Sequence, residues 1–214
     1  MQSDTVSRSV RNEARQKLLS AAISLIREKG YTATTVDQVC ERAGLTKGAF
    51  FHYFKSKDAL AVASANYWTQ CSSAVFTSAP YNAHADPLDR VLGHLEFRKT
   101  MLATELRNIT CFAGTVVQEV YASHPDLARA CEISINDRAT ELERDIEAAM
   151  KKYGIRGGWT AASLALHVQV VVQGAIVVAK AKGGTEVAIA SIDHLRRYIE
   201  LLFGKGRRRG TGKS

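Results

Sequence analysis

Residues 35–60, TVDQVCERAGLTKGAFFHYFKSKDAL, spell a helix, a tight turn, a short second helix and the capped start of a third. The Thr35 hydroxyl can accept the backbone N–H of Gln38 while the Gln38 side chain reaches back to the Thr35 N–H, which fixes a helix start. Val36, Val39, Cys40 and Ala43 then share one face. Gly44 can take the left-handed conformation that ends a helix and turns the chain. Leu45 anchors the turn, and Thr46 caps a second helix from 47 to about 53. Two helices joined this closely form a helix-turn-helix, whose second helix can lie in a DNA major groove.

The second helix has an unusual composition. Its first turn, Lys47, Gly48 and Ala49, combines one cation with two small groups, so its N-terminal backbone can approach DNA closely and its dipole favours phosphate. The remainder is aromatic. Phe50 and Phe54, four apart, are expected in the core, leaving Phe51 and Tyr53 directed outward. Ser56 caps a long helix that opens with Lys57 and Asp58.

With these residues in place, the run resembles the DNA-binding domain of the TetR family of one-component transcriptional repressors. Thr35, Gly44, Gly48, Phe51, Tyr53 and Lys57 stand at the family's characteristic places. The resemblance implies that Lys47 and Ala49 face base edges and that Thr35, Tyr53 and Lys57 bind phosphates. The DNA-contacting set is then Thr35, Thr46, Lys47, Gly48, Ala49, Phe51, His52, Tyr53 and Lys57. Position 51 departs from the pattern, with phenylalanine where the family usually has tyrosine, so stacking or methyl contact replaces a hydroxyl hydrogen bond there. The motif covers roughly the first quarter of the chain.

Charge distribution agrees with a polyanion partner. The 214 residues carry a net charge of +8, with 29 Lys/Arg against 21 Asp/Glu. Residues 1–60 hold ten basic and six acidic side chains, residues 61–204 fourteen and fifteen, and residues 205–214 five and none. The excess therefore sits at the two ends, where self-repulsion is otherwise a cost. Surplus surface lysines that merely aid solubility are the alternative reading of the first sixty residues. The opening MQSDTVSRSVR has no apolar stretch after its basic residues, so a secretory signal is not expected. Cysteines at 40, 71, 111 and 131 share no CxxC spacing, which argues against zinc or a disulfide framework and for a reducing cytoplasm.

Outward from the motif the chain reads as all helix. A helix over 11–29 places Leu18, Ala22, Leu25 and Ile26 on one stripe and stops at Gly30, with Arg8, Arg11 and Arg15 in reach of phosphate. Another runs from Lys57 to about residue 79, ended by Pro80. Asp86-Pro87 caps a further helix. Helices are expected over 87–103, 106–122, 126–152, 159–181 and 186–203. The domains follow: 1–56 for DNA binding, with residues 1–10 a flexible arm; 57–203 for ligand sensing and dimerisation; and 204–214 a disordered basic tail.

The segment 161–181, AASLALHVQVVVQGAIVVAKA, is the most apolar. A membrane span needs about 20 predominantly apolar residues, and His167, Gln169, Gln173 and Lys180 interrupt this one. A buried helix fits better, and because it is apolar on nearly every face, part of it is expected to meet a second subunit. The TetR resemblance implies the same: a homodimer through the last two long helices, reading two half-sites of a palindromic operator.

The resemblance also implies a small-molecule cavity among the central helices. Trp68, Phe97, Met101, Phe112, Gln118, Tyr121, His167 and Gln173 are candidates to line it, each with plain core packing as the alternative. Cys111, in RNITCFAGTVVQEVY, resembles the cysteine of a TetR subgroup that responds to electrophiles or oxidants, and Lys180 resembles the lysine associated with it. A thiol at a helix N-terminus or beside an ammonium is a better nucleophile. The other reading of the pair is a small buried hydrophobe and a lysine reaching solvent.

Six histidines show no HExxH or other ligand spacing, and neither GxSxG nor a phosphate loop occurs. No enzyme, metal or cofactor is expected. The reading is an all-α, cytoplasmic, dimeric regulator, most naturally a repressor, released from DNA by a small-molecule or electrophile signal. A helical enzyme or protein-interaction adaptor is the alternative.

Overall fold

A computed structural model describes residues 2–105 and 109–205, with side chains from residue 12 onward. The described chain is helical throughout: α1 (Gln2–Lys29), α2 (Val36–Ala43), α3 (Lys47–Tyr53), α4 (Lys57–Thr77), a 3-10 turn (Pro80–Ala83), α5 (Pro87–Leu102), α6 (Phe112–Val120), α7 (Pro125–Tyr153), α8 (Ala161–Lys182) and α9 (Glu186–Leu202). No strand occurs among the described residues.

Several helix ends are set by local side-chain hydrogen bonds, the Asp86 cap being one the sequence singled out. Asp86 accepts the Leu88 N–H at 2.9 Å ahead of Pro87, and Thr160 with Ser163 forms a second capping box that starts α8. Two boundaries differ from expectation. Helix α1 is continuous from Gln2, so the backbone of residues 2–10, expected as an arm, is helical; that stretch has neither Gly nor Pro to stop it. The helix expected over 106–122 begins only at Phe112, because Cys111 is extended (φ −77, ψ 123) and its sulfur accepts the Gly114 N–H at 3.4 Å. Of the expected basic tail, residues 206–214 lie outside the described ones; Gly204 closes α9 at φ 74, and the Lys205 ammonium reaches Asp89 at 3.0 Å.

The chain packs as two compact units. Residues 1–74 with 110–135 form the first, and residues 75–109 with 136–214 the second. In the first, α1 is the spine and buries two faces. Leu18, Ala22 and Leu25 meet Val39 and Phe50 of the helix-turn-helix and Leu60 of α4, while Ile23 and Ile26 meet Ala65, Phe112, Val116 and Cys131. Leu18 and Ile26 are at most 2% exposed, and each such side chain contributes about 1.5–3 kcal/mol by leaving water. In the second unit α9 packs against both α5 and α8, with Ile192, Leu195 and Ile199 buried. Helix α8 is long and apolar enough to cross a membrane by length and composition alone. It is two-faced, however: Leu164, Val168, Val172 and Ile176 are buried, whereas Leu166, Val170 and Val177 are exposed.

Candidate nucleic-acid interface and sensor residues

The helix-turn-helix is assembled by local hydrogen bonds. Gln38 N–H donates to the Thr35 hydroxyl at 3.3 Å and Thr35 N–H donates to Gln38 Oε1 at 3.1 Å, the reciprocal box expected from the sequence. Gly44 sits at φ 65, ψ 35, where a side chain is disfavoured. Its N–H and that of Leu45 take the last carbonyls of α2. Thr46 accepts the Ala49 N–H at 3.1 Å and starts α3. Phe50 is fully buried and Phe54 nearly so. Their burial fixes the rotation of α3, so that Lys47, Gly48, Phe51 and His52 face solvent and Ala49 is half-buried.

Phe51 is 58% exposed and meets Phe50 edge-on. An aromatic ring held outward on a helix lacks a reason in the chain's own packing and suits contact with a base or sugar. Tyr53 is less open than Phe51, packing partly on the helix-turn-helix core. The Lys47 ammonium pairs with Asp37 at 2.8 Å, both side chains more than 60% exposed. Such a pair is worth about 0–1 kcal/mol, so a phosphate or a guanine edge can replace Asp37 at little cost. On the opposite side Arg42 ties α2 to α1 through Glu28 (2.9 Å) and Ser24 (3.0 Å). Arg15 is exposed with its guanidinium 5.5 Å from the Phe54 ring centre, near the end of α3. The side chains of Arg8 and Arg11 lie outside the described ones.

Lys57 is turned inward. Its ammonium donates to the carbonyls of Tyr31 and Thr34, each at 3.0 Å, and lies 4.2 Å from the centre of the Tyr31 ring. The same turn is held from α6: the Glu119 carboxylate accepts the N–H groups of Tyr31 (3.0 Å) and Thr32 (2.8 Å). The Tyr31 hydroxyl donates to Asp58, and burial followed by that bond pushes its pKa up. The turn that delivers the chain to Thr35 is thus gripped by a cation at its carbonyls and an anion at its N–H groups.

The sensor candidates fall in both units. In the first, Trp68 is partly buried, 6.3 Å from the buried ring of Phe112 and 5.0 Å from the Arg27 guanidinium. Arg27 donates to the Thr110 carbonyl at 2.7 Å, beside half-buried Cys111. Cys131 lies in the same core cluster, its thiol pushed up to about 12 by burial first and by Cys111 second. Gln118 turns back to the Gly114 carbonyl at 2.6 Å, and Tyr121 is 74% exposed. In the second unit Phe97 packs on Phe76 and Tyr81. Met101 and His167 are exposed, the latter against the Tyr198 ring, Gln173 is half-buried on α8, and Lys180 is exposed near its end. Trp68 with Phe112 is therefore the pair of candidates whose rings meet. Sequence reasoning missed Glu119, Tyr31 and Asp58, which act across the fold, and the polar core of the second unit formed by His94, Arg98, Arg138 and Gln169.

Residues 18–63 match the family model described as bacterial regulatory proteins, tetR family. The chain is 37% identical over 57 residues to the HTH-type regulator YerO of Bacillus subtilis, covering 27% of this chain and 20% of that protein. It is 27% identical over 139 residues to the transcriptional regulator AcuR of Cereibacter sphaeroides, covering 63% of each. With the repressor NemR of Escherichia coli it shares 24% over 146 residues, 68% of this chain and 63% of that one. The matches thus span from a fifth to under two thirds of these relatives. Among solved structures, a TetR regulatory protein from Rhodobacter sphaeroides superposes with a TM-score of 0.76 at 22% identity, over 86% of this chain and 98% of that one. Reduced Escherichia coli NemR gives 0.76 at 20%, over 86% and 95%. Residues 18–63 thus match the DNA-binding domain of the tetR family of bacterial regulatory proteins, and the chain shares over most of its length the fold of solved TetR regulators.

Proposed function

We propose that the protein is a cytoplasmic, dimeric transcriptional repressor that binds a palindromic operator through α2 and α3 and releases it when a small molecule binds its helical C-terminal region. The observation that carries this reading is the surface of α3. Lys47, Gly48 and Phe51 are exposed, Thr46 supplies the cap, and Asp37, the acidic partner of Lys47, is itself exposed and replaceable. Small groups at the helix start admit the backbone to the groove, the lysine supplies charge, and the caps set the angle of entry.

Dimerisation is supported by an apolar stripe on adjacent helices. Leu166, Val170 and Val177 of α8 and Tyr198 and Leu201 of α9 are 45% exposed or more, and Gly174 on the same face of α8 leaves open space around its Cα. A contiguous patch of this kind marks an interaction surface, and a twofold pairing gives each operator half-site its own recognition helix. The test is the stoichiometry of the complex with an operator-length duplex by analytical ultracentrifugation. Two or four chains per duplex support the reading; one chain per duplex contradicts it.

An electrophile signal is the second reading, favoured by Cys111. Its sulfur caps the start of α6 through the Gly114 N–H, and α6 carries Glu119, the carboxylate that holds the Tyr31–Thr32 turn. Alkylation or oxidation of the sulfur removes that cap and disturbs the helix that grips the turn.

A further inference from the structure

The second unit contains a cluster of buried hydrogen-bond donors around one aromatic ring. Phe76, 3% exposed, has the Arg98 guanidinium 4.5 Å and the Arg138 guanidinium 5.0 Å from its ring centre, and the His94 ring stacked at 5.3 Å. Arg138 is 6% exposed and Gln169 3%. Arg98 donates to Gln169 Oε1 at 3.3 Å and to His94 Nε2 at 3.4 Å. Those two bonds settle the orientation of the neutral groups. Gln169 must present its oxygen to Arg98, because a flipped amide would set donor against donor. His94 accepts at Nε2 and so carries its proton on Nδ1, which faces the Tyr81 hydroxyl at 3.2 Å; Tyr81 in turn donates to the Phe76 carbonyl at 3.4 Å. Burial, then Arg98 and Arg138, hold His94 neutral.

The consequence falls on Gln169. Its Nε2 group is buried and finds no acceptor among the described residues. The carboxylates nearby are already engaged, Glu141 by Arg138 at 2.6 Å and Asp145 by Arg90 at 2.7 Å. Two guanidinium groups and an unmatched amide donor therefore converge where Phe76, Tyr81 and Phe97 supply apolar walls. A site that is rich in donors and walled by rings matches a molecule with an acceptor-only charged head and a short apolar body.

We propose that this cluster is the effector site and that its ligand is a small organic carboxylate, whose oxygens accept from Gln169 Nε2 and from the arginines while its carbon body lies against Phe76 and Phe97. The proposal deepens the effector-controlled reading above and rests on it for any link to DNA release, but not for binding itself.

The test is thermal unfolding of the full-length protein with acetate, propionate and benzoate, against the matching amides and against sulfate at equal ionic strength. At least one carboxylate raises Tm in a saturable way, and the amides and sulfate do not. Gln169→Met, close in volume but without the donor, keeps the fold and loses about tenfold in carboxylate affinity. Gln169→Glu places a tethered carboxylate in the cluster, raises Tm without ligand and abolishes the response. An equal shift with amides or sulfate, no shift with any of the three carboxylates, or an unchanged response in Gln169→Met overturns the proposal. DNA binding measured in parallel separates the two readings: operator binding without any carboxylate response sinks only the ligand class, and carboxylate binding without operator binding sinks only the repressor.

Discussion

The Glu119 carboxylate of α6 accepts the backbone N–H of Tyr31 at 3.0 Å, joining a helix far along the sequence to the turn that leads into the DNA-reading motif. Thr32 donates to the other oxygen, and Gly30, at φ +92, leaves room for the carboxylate where a Cβ would collide with it. Burial raises the Glu119 pKa, but the bonds from Thr32 and Tyr31 and the charge of Lys57 outweigh it, and the net direction is downward.

That direction sets a pH dependence. A carboxylate with a depressed folded-state pKa contributes stability above its unfolded value, and the contribution is lost as pH falls through the folded value. Glu119→Ala is expected to destabilise the protein by about 1–3 kcal/mol at neutral pH, since it leaves two N–H groups without their acceptor, and to flatten the acid limb of its stability profile. Denaturant unfolding of both proteins from neutral to acid pH checks this; identical profiles would remove Glu119 from the turn's support.

Lys57 presents a separable case. The family resemblance makes it a phosphate ligand, whereas its ammonium already holds the Tyr31 and Thr34 carbonyls. Lys57→Ala is therefore expected to cost about 1.5–3 kcal/mol of stability, the range for hydrogen bonds to a charged group, as well as to weaken DNA binding on all sequences alike. Unfolding and DNA titrations on one preparation distinguish the roles: a loss of affinity with unchanged stability means a phosphate contact only.

Asp37 holds Lys47 in the free protein. Asp37→Asn releases the ammonium and removes a negative charge from the face offered to DNA, so it is expected to tighten binding about two- to tenfold at low salt, an effect that salt screens. Lys47→Ala is expected to weaken the operator more than random duplex. Equal losses on both duplexes would take Lys47 out of the base-reading set.

Cys111→Ser is expected to retain DNA binding and to lose release by N-ethylmaleimide, if the thiol is the sensor. The exposed Cys71 and the buried Cys40 and Cys131 provide internal controls. Release of the serine variant by the reagent would assign the response elsewhere.

Val170→Asp sets a charge in the middle of the exposed α8 stripe, where Val170 is 61% exposed and has little to do in the chain's own core. It is expected to yield a folded monomer with greatly weakened operator binding, read by sedimentation velocity and anisotropy. A dimer that persists would move the interface off α8.

What could be read from the sequence was local. Thr35, Gln38, Gly44 and Thr46 cap and turn within a few residues of one another, so their spacing alone announces the helix-turn-helix, and burial of Phe50 and Phe54 four apart follows from helical geometry. The start of α6 was misplaced because a cysteine cap carries a weak signal beside Ser, Thr or Asp. Glu119 was invisible for a different reason: its partners lie 88 and 87 residues away, and only the fold brings them together. Arg138 and Gln169 did leave a trace. Arg138 occupies the buried face of α7 with Leu142, Ile146 and Ala149, and Gln169 that of α8 with Val172 and Ile176. A polar residue at a core position of an amphipathic stripe is the pattern that could have marked them.

The central claim is operator recognition through α3, and equilibrium binding of the purified protein to duplexes from its own upstream DNA, measured by anisotropy across a salt series beside a random duplex, tests it most directly. The account predicts a site bound at least about a thousandfold more tightly than random DNA, with both affinities falling steeply as salt rises. Equal affinity for every duplex, or no salt dependence, would contradict it.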